Sequence, residues 1–209
     1  MMSFELSQVE GEYIVRLARG AIEAVVGAGE AVKNDDVLVK LREECGVFVT
    51  LNKVEGGSHN LRGCIGFPYP VKPLVEAIVD SAVNAALRDP RFPPVEVGEM
   101  DEIVVEVSVL TPPEVVEVDS PEGYPEQVEV GRDGLIVARR GNRGLLLPQV
   151  PVEWGWDAEE FLSQCCIKAW LPPDAWLLPG TEISKFRAII FAEVSPRGAV
   201  ERVELKSQG

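Results

Sequence analysis

Residues 46 to 66 read GVFVTLNKVEGGSHNLRGCIG, and the way this stretch pairs decides the fold. Val47, Phe48, Val49 and Thr50 are β-branched or aromatic, the residue types that suit a pleated, half-buried surface, so Gly46–Asn52 reads as a strand. Glu55-Gly-Gly-Ser-His-Asn60 carries the glycines of a hairpin loop, which returns the chain antiparallel into Leu61-Arg-Gly-Cys-Ile-Gly66. A strand pair closed by glycines points to antiparallel sheet rather than to the long helical crossovers of a parallel one.

The flanking segments agree. Val9, Tyr13, Leu17, Ala21 and Val25 recur at helical spacing, and Ser7 with Glu10 forms a capping-box pattern, predicting a helix from about Ser7 to Gly27. Val37–Glu44 reads as a short helix or a turn. Pro73 opens a helix with the stripe Leu74, Ala77, Ile78, Ser81, Ala82 and Ala85, which Asp89-Pro90 ends. Ile103, Val105, Val107 and Val109 alternate with Glu102, Val104, Glu106 and Ser108, predicting a strand with one buried and one more polar face. Gly134–Arg140 and Leu145–Val150 flank Gly141-Asn-Arg-Gly144 as a second hairpin. Asp157 and Glu160 cap a helix with Phe161, Leu162, Cys165 and Ala169 inward, and a last strand covers about Ser184–Ser195 before a polar tail. The fold class is therefore α+β, antiparallel sheets packed with helices.

The chain has 209 residues, enough for one large domain or two small ones, and for a sizeable core in either case. Its 20 Lys and Arg against 34 Asp and Glu give a net charge of −14, which argues against nucleic acid as a general partner. The N-terminal MMSFELSQ lacks a basic segment followed by an apolar run, and no stretch has the length of a membrane span, so a cytoplasmic protein is expected. Cys45, Cys64, Cys165 and Cys166 have neither CxxC spacing nor a secreted disulfide pattern, so free thiols are expected and no metal site is assigned. With His59 as the only histidine, a triad of two histidines and a carboxylate cannot be assembled. No GxGxxG or GxxxxGK sequence supports a nucleotide cofactor, and no cofactor is named. Few Asn and Gln, many Val and Glu, and Pro in the loops suit a heat-adapted source.

In an extended LRGCIG, alternation puts Arg62, Cys64 and Gly66 on one face. A guanidinium beside a thiol favours the nucleophilic thiolate, and glycines at 63 and 66 admit a ligand or another backbone. The alternative reading is architectural: a buried thiol, a glycine bulge and an arginine paired with a carboxylate. His59 is at an odd offset from Cys64, so a Cys-His dyad needs a turn between them. Asp89 and Arg91 either line a cleft or lock their loop as an ion pair. Arg132, Arg139, Arg140 and Arg143 form a basic surplus that either receives an anion or is a solvated hairpin face. Trp154 and Trp156 offer a platform or core cover, and Lys168 complements a helix dipole.

Leu61-Arg-Gly-Cys-Ile-Gly66 resembles the signature hexapeptide of the AMME-syndrome candidate-gene (AMMECR) family, whose prokaryotic members are called AmmeMemoRadiSam system protein A. Further matching pieces follow in order: Asp89-Pro-Arg-Phe-Pro-Pro94, Glu106-Val-Ser-Val-Leu110, Gly134-Leu135, Leu147-Pro-Gln-Val150, Trp154 or Trp156 before Phe161-Leu162, and Cys166 with Lys168. The resemblance implies one domain of two subdomains around a shared cleft, about 1–110 with 180–209 and 111–179. It implies a candidate site but no reaction: Cys64, Arg62 and Asp89 as catalytic candidates, with Gly63, Gly66, Arg91, Phe92, Gln149 and Lys168 toward a ligand. As an enzyme, Cys64 is nucleophile or ligand, Arg62 lowers its pKa or holds an anionic group, and Asp89 transfers protons. As a non-catalytic module, the same cleft docks a small ligand or a Memo-like or radical-SAM partner.

Overall fold

The structure, a computed structural model, describes residues 4–27 and 39–204. It divides into two compact units, Met1–Leu110 with Ile189–Val203 and Thr111–Ala188 with Glu204–Gly209.

The first unit begins with α1 (Gln8–Val26). Ser7 Oγ accepts from Glu10 N–H, and the Glu10 carboxylate accepts Ser7 N–H at 2.7 Å, so the capping box forms; Gly27, at φ +79°, ends the helix. Its buried face is Gly11, Ile14, Leu17, Ala18, Ala21 and Ile22, whereas Val9 and Val25 are exposed, because a strict four-residue spacing drifts around a 3.6-residue helix. The Val37–Glu44 segment holds a 3-10 turn at Val39–Arg42; Val37 and Leu38 lie outside the described residues.

β1 (Gly46–Glu55) and β2 (Ser58–Phe67) make the expected hairpin, closed by Gly56 and Gly57 at φ +59° and +85°. α2 (Leu74–Leu87) follows, then β3 (Ile103–Leu110), antiparallel to β1. β3 lacks the polar face its alternation suggested: Val104 and Ser108 are buried and Glu106 is half-buried, since both faces of this central strand are covered. β2 is the sheet edge, and α1 and α2 pack on the face that carries Val47, Val49, Leu51, Val105 and Val107.

The second unit contains β4 (Glu114–Val115), α3 (Tyr124–Gln127), β5 (Asp133–Arg139), β6 (Asn142–Leu146), α4 (Gln149–Trp154) and α5 (Ala158–Lys168). β7 (Glu182–Glu193) starts in this unit, pairing with β4 and β5, and ends in the first, where β8 (Val200–Val203) pairs with it. The tail expected to be only polar therefore contributes a strand. The β5–β6 turn is two residues, Arg140-Gly141, tighter than the four-residue loop expected. Pro148 has no N–H for a ladder, and the chain leaves the sheet there, with Gln149 opening α4. Asp157 accepts Glu160 N–H at 2.8 Å, but Glu160 turns its carboxylate to Gln164 Nε2 at 2.7 Å instead of closing a box. The core here gathers Leu135, Val137, Phe161, Leu162, Trp176 and Ile183.

All registered strand pairs are antiparallel, in keeping with the α+β class. No described helix is long and apolar enough to cross a membrane.

Candidate functional site around Cys64

The β1–β2 register shifts by one residue within LRGCIG. Near the turn Asn52 faces Leu61, but Leu51 faces Gly63 and Thr50 faces Cys64, which leaves Arg62 as the extra residue of a β-bulge. The bulge breaks the alternation assumed for Arg62 and Cys64. Gly63 turns toward Leu51 and α2, where an added Cβ would meet Ala85 O at 2.3 Å; at Gly66 it would meet Val47 O at 2.2 Å. Both glycines thus admit the chain's own backbone, one of the two alternatives their presence allowed.

Among the described residues no further strand pairs with β2 beyond Cys64, and two side chains take its place. Cys64 N–H donates to Asp89 Oδ2 at 2.8 Å, and Cys64 C=O accepts from Arg91 Nη2 at 3.2 Å. Arg91 also holds Asp89 with Nε at 2.9 Å and Nη2 at 2.7 Å, and donates its backbone N–H to Oδ1 at 3.1 Å. The Arg91 guanidinium and the two backbone donors keep the Asp89 carboxyl well below the usual carboxylate range, outweighing its burial. A carboxylate so committed is a poor proton carrier near neutrality. Asp89 and Arg91 form the loop-locking ion pair, one of the two alternatives read for them, and together clamp the Cys64 backbone.

Arg62 is 8% exposed and does not serve Cys64 either. Its Nε and Nη2 grip Glu99 at 2.8 and 2.9 Å, and Nη2 also reaches Pro94 O at 3.2 Å. The Arg62 guanidinium lowers the Glu99 pKa. Nη1 is buried without a hydrogen-bond partner. The Phe92 ring lies 6.0 Å from Arg62 Cζ and 5.5 Å from Arg91 Cζ, linking the two guanidiniums through its π face.

Burial pushes the Cys64 thiol up; Thr50 Oγ1, donating to Sγ at 3.4 Å, and the Arg91 charge pull it down, while the charges of Glu106 and Asp89 raise it. The thiol is therefore less acidic than a free cysteine, and Arg62 is not among the groups that lower its pKa, although one of the two sequence readings had it so. Thr50 pairs with Cys64 on one side and with Glu106 of β3 on the other, so Glu106, Thr50 and Cys64 form a row across three adjacent strands on one face. Ser108 Oγ donates to Glu106 Oε1 at 3.5 Å.

The first unit thus brings together Arg62, Gly63, Cys64, Gly66, Asp89, Arg91 and Phe92. Gln149 and Lys168 belong to the second unit, where Gln149 Oε1 is buried without a partner and Lys168 is exposed at the end of α5. His59 is exposed near the turn, five residues up a strand from Cys64 or about 16 Å, too far for a dyad. Burial pushes Cys165 up to about 12 and Cys166 up to about 11, so both are packing residues. Trp154 and Trp156 stack with centroids 6.0 Å apart; Trp156 packs on the core and Trp154 is exposed. Among the described residues, no three His, Cys, Asp or Glu side chains form a metal-binding group.

Sequence reasoning passed over Thr50 as a site residue and cited Glu106 only as a polar strand position and as part of a motif. The available signal was cross-strand register, and the bulge conceals it.

A protein of Thermococcus gammatolerans is 57% identical over 197 residues, covering 93% of this chain and 96% of its own. Protein TK0174 of Thermococcus kodakarensis is 55% identical over 202 residues, with the same coverage of each chain. The crystal structure of uncharacterized protein PH0010 from Pyrococcus horikoshii is 54% identical and superposes with a TM-score of 0.85, over 97% of this chain and 100% of that one. Residues 15–191, which carry the hexapeptide, the clamp and the Glu106–Thr50–Cys64 row, match the AMMECR1 family, and the chain belongs to it.

Proposed function

We propose that Cys64 is the nucleophile of a thiol-dependent acyl-transfer enzyme and that Glu106 takes its proton through Thr50. The observation that carries this reading is the cross-strand row, which sets a hydroxyl between a thiol and a carboxylate. A hydroxyl rotates, so Thr50 donates to sulfur at rest and to Glu106 during transfer. The Sγ proton passes to Thr50 Oγ1 as the Thr50 proton passes to Glu106. The sulfur electron pair then attacks a carbonyl carbon, and Glu106 returns the proton to the leaving group. A raised thiol pKa fits such a device, since the sulfur ionises only as it reacts. Arg91 favours the developing charge on sulfur. The cytoplasm suits this chemistry, in which Cys64 stays free, as all four cysteines are.

The test is acylation by p-nitrophenyl acetate at pH 7, read by intact mass as the difference between the protein and Cys64→Ser. Glu106→Gln removes a charge that raises the thiol pKa, so a simple thiolate would react faster in this variant. With Glu106 as base, acylation slows by at least about tenfold. Equal or faster acylation in Glu106→Gln overturns the assignment.

A second reading, docking of a Memo-like or radical-SAM partner in an AmmeMemoRadiSam system, is favoured by Trp170, which is 91% exposed and held at φ +59°. An indole so placed is a ready contact residue. Native co-purification that is lost in Trp170→Ala supports this reading, and absence of any such partner removes it.

A further inference from the structure

The β5–β6 hairpin carries a second feature, independent of Cys64. Arg139, Arg140 and Arg143 line a depression of about 290 Å³ with Gly141, Asn142 and Glu182. In a chain of net charge −14, three guanidiniums against one carboxylate leave a local surplus of two positive charges. The turn is built in an unusual way. Arg140 takes φ +50° and Gly141 φ +86°, a two-residue turn in which Asn or Gly is the ordinary choice at the first position. An arginine there accepts backbone strain and places its side chain at the hairpin tip. Arg139 is anchored by Nη2 to Pro179 O at 3.3 Å, while its Nε is buried without a hydrogen-bond partner. Arg143 and Glu182 face the same residue, Ala138, from the strands on either side.

We propose that this depression binds the phosphate group of a small phosphorylated molecule. Guanidinium forks match phosphate oxygens in pairs, and a dianion balances the surplus of two. The volume lies at the lower limit of ligand sites, roughly 300 Å³, which suits a phosphate with a short organic arm and not a dinucleotide. Nucleic acid is disfavoured because the remaining surface repels a longer phosphate backbone.

The experiment is calorimetric titration of the full chain with inorganic phosphate and with glycerol phosphate at low salt. Saturable one-site binding is expected, weakened at least about tenfold in Arg140→Gln and Arg143→Gln. Glu182→Gln, which removes the opposing carboxylate, is expected to tighten it. The altered residues are exposed, and an unchanged melting temperature verifies that each variant folds. The proposal is overturned if neither probe saturates, if the arginine variants bind as the parent does, or if only an oligonucleotide or an acidic peptide binds. None of these outcomes depends on the chemistry of Cys64.

Discussion

Thr50 stands opposite Cys64, and its hydroxyl donates to the sulfur at 3.4 Å, because Arg62 is one residue too many for the ladder. Burial, the leading influence on this thiol, makes it less acidic than a free cysteine. Alkylation by iodoacetamide, taken as the difference from Cys64→Ser, is expected to show a midpoint above the free-thiol value of about 8.5. Thr50→Val removes a hydrogen bond to the thiolate and moves the midpoint higher. Glu106→Gln removes a nearby negative charge and moves it lower.

Asp89 and Arg91 govern how acid affects stability. The folded pKa of Asp89 is depressed, so the unfolded chain binds the proton more readily. The stability from Asp89 is fully present above the ordinary carboxylate pKa of about 4 and is lost as pH falls from there toward the folded value. Asp89→Asn is expected to cost about 1–3 kcal/mol at pH 7 in urea denaturation and to flatten the decline of melting temperature below about pH 5.

Gly63→Ala is expected to destabilise by about 1–3 kcal/mol, because its Cβ would meet the Ala85 carbonyl at 2.3 Å and neither backbone can turn aside. Gly98→Ala, with nothing within 4 Å of the added Cβ, serves as the control and stays within about 0.5 kcal/mol. Denaturant midpoints of the two variants make the comparison.

Glu193, the last residue of β7, is buried in the first unit. Its carboxylate accepts from Arg19 Nε at 2.6 Å and from Val105 N–H at 3.0 Å, and Arg16 Nη1 approaches it at 3.3 Å. Glu193→Gln leaves the Arg19 guanidinium, 5% exposed, with Glu23 at 3.4 Å as its remaining counter-charge. A loss of about 3–5 kcal/mol in chemical denaturation is expected.

The hairpin of β1 and β2 was legible because Gly56-Gly57 has few alternatives between two strand-forming runs. α1 was legible because Ser7 and Glu10 mark its start. LRGCIG was legible as an extended stretch, and its internal pairing was not. Counting back from the glycine turn in a regular ladder puts Cys64 opposite Val49 on the core face; the bulge at Arg62 puts it opposite Thr50 instead. Nothing in the composition of LRGCIG announces that slip. Arg62 beside Cys64 suggested activation, whereas Glu99, 37 residues further on, claims the guanidinium. Such long-range partners follow from tertiary packing, which local periodicity does not encode.

The clamp of Asp89 and Arg91 bears on how this molecule keeps to itself. An edge strand offers bare N–H and C=O groups to any strand of another molecule, and β2 is such an edge. At Cys64 both groups are already engaged, by a carboxylate and a guanidinium that a neighbouring backbone would have to displace. The clamp therefore also blunts this edge against pairing with another strand, and loosening it would leave the Cys64 backbone groups open to one.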